Sequence, residues 1–116
     1  MQFLCLIYED ETLGASRNDA ENGEIYQQYM TFTEQVKTNG NLVAGDALMP
    51  TDTATTVRIR NNETLITDGP FAETKEQLGG YYLLECASLD EAIKLAAEIP
   101  SVKFGSIEVR PIMVFE

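Results

Sequence analysis

The densest grouping of reactive side chains runs Asp68-Gly69-Pro70-Phe71-Ala72-Glu73-Thr74-Lys75-Glu76-Gln77-Leu78-Gly79-Gly80-Tyr81. Asp68 has two readings there. It is either a turn residue, accepting hydrogen bonds from the N–H groups that follow while Gly69 bends and Pro70 pre-sets φ, or a pocket-facing carboxylate that serves as general base or holds a cation. Glu73, Lys75 and Glu76 are a solvated, salt-bridged cluster on one reading. On the other, Lys75 is a rare cation at the mouth of a site and selects an anionic ligand. A turn does not need Phe71, so its ring is expected to bury and anchor the loop, contributing about 2 kcal/mol. Gly79-Gly80 allows close backbone approach, but no phosphate-loop pattern surrounds it. Tyr81 and Tyr82 must point to opposite faces of their strand. Glu108 and Arg110 share a face two residues apart and suit a structural ion pair as well as a ligand contact. The candidate ligand-binding residues are Asp68, Lys75, Tyr81 and Arg110, with Asp68 the candidate catalytic group.

The rest of the chemistry is narrowed by what is missing. The chain has no histidine, which removes histidine triads, histidine metal ligands and the usual switch near neutral pH. No Cys-x-x-Cys or calcium loop is present, so no metal or other cofactor is expected. Cys5 and Cys86 both sit in apolar runs and read as buried, reduced thiols. Glu9-Asp10-Glu11 reads as a solvated acidic run.

The elements that must position these groups come from 116 residues, enough for one domain over residues 1–116 with a core of its own. Eight basic against 19 acidic residues leave a net charge of −11, which disfavours nucleic acid and anionic membrane as partners. The apolar run Phe3–Tyr8 is too short for a signal peptide or a span, so a cytoplasmic location is expected.

Phe3–Tyr8 predicts a strand apolar on both faces, and Glu9–Asn22 reads as a loop. From about Gly23 to Asn39, Ile25, Tyr29, Phe32 and Val36 make a helical stripe. Leu42–Met49 is a second strand. Thr55–Arg60 and Thr64–Thr67 flank a turn at Asn61-Asn62-Glu63 and predict a solvated hairpin. Gly80–Ala87 is a strand, Ser88 with Glu91 is a capping box for a helix ending at Pro100, and Ile107–Phe115 is the last strand.

The order is βαβ, an inserted hairpin, then βαβ. That predicts an α+β fold, a ferredoxin-like split βαβ sandwich with an antiparallel sheet and two helices on one face. Phe3/Cys5/Ile7 and Leu4/Leu6 are apolar on opposite faces of the first strand, and two helices cover only one of them. A second copy is the simplest cover for the other, so a homodimer through the sheet face is expected.

The Asp68–Tyr81 run resembles the signature of the DGPF group of the YCII-related family. Ala44-Gly45 before Leu48, Ala96 to Pro100, and Ile107-Glu108-Val109-Arg110-Pro111 agree with it in order. The resemblance implies a dimeric α+β barrel of ferredoxin-like protomers. The wider family is associated with a histidine–aspartate pair, which this chain cannot supply, so no catalytic role is carried over. Relatives are often encoded beside extracytoplasmic-function sigma factors, which implies a link to their regulation.

Two functions follow. One is a protein that binds or transforms a small molecule, including an anionic one, in a pocket between sheet and helices. The other is a non-catalytic accessory protein linked to sigma-factor regulation, its acidic surface meeting a basic protein. A mostly apolar cavity with converging polar groups favours the first.

Overall fold

The alternation of Gln2–Glu9 (β1) sends Phe3, Cys5 and Ile7 into the core and Leu4 and Leu6 to the opposite face, where they stay half-buried. The computed structural model describes residues 1–116. β1 is followed by α1 (Glu11–Ser16), α2 (Asp19–Thr38), β2 (Leu42–Ala47), β3 (Thr55–Arg60), β4 (Glu63–Asp68), β5 (Gln77–Glu85), α3 (Leu89–Ala96) and β6 (Ser106–Pro111). Four strands form one antiparallel sheet in the order β2-β5-β1-β6. This is the expected ferredoxin-like α+β arrangement, with β3–β4 inserted as a separate two-stranded hairpin.

One core lies on one face of the sheet. Phe3, Cys5, Ile7, Tyr82 and Leu84 from the strands meet Phe32 and Val36 of α2, Ala92 and Ala96 of α3, and Ile99. Phe32 and Tyr82 pack edge to face, with ring centroids 5.1 Å apart. Both cysteines are buried and unpaired. Burial pushes the Cys5 thiol up to about 11, and it raises that of Cys86 as well.

The stretch from Glu9 to Asn22, expected to be a loop, is mostly helical. Asp10 caps α1 by accepting from the Thr12 N–H. Asn18 and Glu21 close a capping box that starts α2 four residues before the stripe first becomes visible at Gly23. The expected capping box at Ser88 is half made. Ser88 accepts from the Glu91 N–H, but the Glu91 carboxylate turns to Asn41 and the Ala87 N–H.

β6 stops at Pro111 instead of running to Phe115. Pro111 pairs with Phe3 near the start of β1, and after one more bond, from the Ile112 N–H to the Gln2 carbonyl, β1 offers the tail no further partner. The hairpin turns through Asn61 and Asn62, both at positive φ, the twist that two-residue turns need.

Candidate functional site

A cavity of about 400 Å³ opens between α2 and the β1, β5 and β2 end of the sheet. Ile7, Leu42 and Tyr82 supply apolar wall, and Tyr26, Tyr29 and Thr33 face them from α2. Gly45 makes room on β2, since a side chain there would come within 2.7 Å of the Tyr82 ring. Gly80 lies where β5 steps past a bulge opposite Ile7 and Tyr8. A Cβ at Gly80 would meet the Asp46 carbonyl at 2.9 Å, so the close approach expected at Gly79-Gly80 is made at Gly80.

The polar end of the cavity is a chain of side chains. Glu9 ends β1 on the core side of the sheet, continuing the alternation of Phe3, Cys5 and Ile7. Its Oε1 accepts from Arg17 Nη1 at 2.7 Å, and neither side chain is more than about a quarter exposed (16% and 22%). The Arg17 guanidinium also stacks over Phe104, 4.3 Å from the ring centre. Ser101, only 2% exposed, donates to Glu9 Oε2 at 3.3 Å. Tyr29 reaches the same serine hydroxyl at 2.5 Å. Burial raises the Tyr29 phenol above its ordinary value, so it stays protonated at neutral pH. Thr33 and Tyr82 share a second hydroxyl pair at 2.7 Å. Burial likewise raises Tyr82.

The four residues singled out from sequence do not converge. Tyr81 borders the cavity, and its hydroxyl donates to Asp46 Oδ2 at 2.7 Å. That bond holds the Tyr81 phenol protonated and raises it. Asp68 ends β4, exposed on the hairpin, opposite Thr55. The turn hydrogen bonds expected of its carboxylate are made by others: Gly69 N–H to the Ala54 carbonyl, and Thr56 Oγ1 to the Gly69 carbonyl. Lys75 is exposed in the loop before β5, near Asp10. Arg110 pairs with Glu108 at 3.4 Å on the open sheet face, the structural pair that their spacing suggests. The Glu73–Glu76 cluster is not the salt-bridged one expected, because Glu76 accepts from Ser106 instead. Phe71 buries little: the residue is 77% exposed, so it does not anchor the loop within its own chain.

Glu9, Arg17, Tyr29 and Ser101 were not among the sequence candidates. The acidic run was read as solvated, yet its members have separate tasks. Glu9 holds Arg17, Asp10 caps α1, and Glu11 accepts from both the N–H and the hydroxyl of Thr51. Continuing the β1 alternation by one residue puts Glu9 on the core face, which was the available signal. No group of three or more Cys, Asp or Glu side chains converges as a metal site.

A family model described as the YCII-related domain matches residues 1–116. An uncharacterised protein of Rhizobium meliloti (strain 1021) is 37% identical over 118 residues, covering 100% of this chain and 95% of the relative. Among solved structures, the 5-chloro-2-hydroxyhydroquinone dehydrochlorinase TftG of Burkholderia phenoliruptrix AC1100, in complex with 2,5-dihydroxybenzoquinone, is similar with a TM-score of 0.54. It is 16% identical, and the match covers 97% of this chain and 94% of that one. At that identity the likeness is one of fold.

Proposed function

The chain belongs to the YCII-related domain family, and on that premise we propose that it binds, and acts on, a small uncharged molecule in the cavity between α2 and the sheet. The observation that carries the reading is the lining: apolar and tyrosine walls that converge on the Glu9–Ser101–Tyr29 chain. An anionic ligand was the expectation while Lys75 and Arg110 were candidates. No lysine or arginine lines the cavity, which disfavours an anion, and the one carboxylate at its polar end, Glu9, is already paired with Arg17, so an uncharged ligand is the better match. The fold-level likeness to an enzyme crystallised with a quinone is compatible with a small ring compound. The accessory-protein reading rests on the family resemblance and the net charge of −11. The Asp68–Tyr81 run further favours placing the chain in the DGPF group.

We also propose a homodimer through the open sheet face. Leu4, Leu6 and Leu83 lie there half-buried. Met113, Val114 and Phe115 extend beyond the sheet at 72%, 80% and 86% exposure. The radius of gyration, 16.2 Å, exceeds the about 13 Å of a compact chain this long. A second copy would cover this surface.

Native mass spectrometry of the protein as purified tests the ligand reading. The expected result is uptake of small uncharged aromatic compounds, abolished by Thr33→Trp, which fills the cavity. Uptake unchanged in Thr33→Trp, or none by the wild type, counts against it.

A further inference from the structure

Hydrogen-bond direction along one chain of side chains decides what the cavity can receive. Glu9, paired with Arg17, offers acceptor oxygens. Ser101 therefore donates its single proton to Oε2. With that proton committed, Ser101 can only accept from Tyr29, so the Tyr29 proton is committed too. At the cavity, Tyr29 is left with an oxygen lone pair, which is an acceptor. A ligand matched to it must present a donor. The walls around it are aliphatic side chains and tyrosine rings, which suit a flat ring.

We propose that Glu9 and Ser101 orient the Tyr29 hydroxyl so that it selects an uncharged ring compound carrying a hydroxyl donor, of the phenol or enol class. The proposal rests on the small-molecule reading of the cavity and names the ligand class. The ligand hydroxyl donates to Tyr29 Oη and keeps its proton, because a carboxylate is a far weaker base than a phenolate. A ligand that offers only acceptors leaves the Tyr29 oxygen without a partner.

The experiment uses two probes of one shape. 4-Nitrophenol carries a hydroxyl donor, and 4-nitroanisole carries none. At a pH below its own ionisation, 4-nitrophenol is expected to bind the wild type about tenfold more tightly than 4-nitroanisole, the size of one hydrogen bond. Tyr29→Phe should abolish that preference by weakening 4-nitrophenol, and Ser101→Ala should reduce it, because Tyr29 is then free to donate to the ether oxygen of 4-nitroanisole. Both variants should still bind 4-nitroanisole, which also shows that they fold. Equal binding of the two probes by the wild type, or a preference that persists in both variants, overturns the orientation and leaves the cavity reading standing. Binding of neither probe by the wild type overturns the cavity reading and the orientation with it.

Discussion

Arg17 and Arg110 each pair with a glutamate, and their surroundings make the pairs unequal. The Arg17–Glu9 contact is mostly shielded, so removing the arginine leaves a carboxylate that water reaches poorly. Arg17→Ala should cost about 2–3 kcal/mol. Arg110–Glu108 is open to solvent, and Arg110→Ala should cost no more than about 1 kcal/mol. Urea midpoints of the two variants check the contrast, and equal losses would show that Glu9 does not need its partner. The cysteines give a pH prediction. Cys5 titrates at about 11 in the fold against 9.0 for a free thiol. Its neutral form is favoured by folding, so the associated stability is fully present below pH 9 and lost as pH rises toward 11. The melting temperature should fall over that interval, and less steeply in Cys5→Ala. Neither thiol should react with a thiol reagent in the native state.

At the scale of elements, the acidic segment after β1 is ordered by capping. Asn18 is the N-cap of a 20-residue helix that carries Tyr29, Phe32 and Thr33. Asn18→Ala should destabilise the fold by about 1 kcal/mol, read by thermal melting. No change would mean that the start of α2 does not depend on its cap. The core strands, the Ile25–Val36 stripe, the hairpin and the βαβ order of the elements were legible in the sequence because the alternation and the helical stripe can be read from local spacing. The α1 segment was not, because Gly14 and a run of polar residues hide a short helix of 6 residues whose signal is a side-chain cap. The candidate site was legible only at Tyr81. Motif density drew attention to Asp68 and Lys75, while the cavity is built from residues 92 positions apart, Glu9 and Ser101. Their meeting depends on β1 and the segment after α3 lying side by side, which no local spacing reveals. The end of β6 was misjudged because its apolar pattern continues past Pro111 while its partner strand does not.

For the whole molecule, the proposed homodimer is the assembly that would cover the exposed tail and open sheet face. Sedimentation at micromolar concentration should show a dimer, and Leu4→Arg or Leu6→Arg should give a folded monomer or an aggregate in its place. A wild-type monomer would remove the sheet-to-sheet assembly. The central claim is that the cavity under α2, and not the Asp68–Lys75 segment, holds the ligand. Amide chemical-shift mapping by NMR during titration with 4-nitroanisole tests it most directly. The account predicts shifts that cluster on Tyr29, Thr33, Gly45, Gly80 and Ser101, with Asp68, Lys75 and Arg110 unmoved. Shifts confined to Asp68 through Lys75, or none at saturating probe, would contradict it.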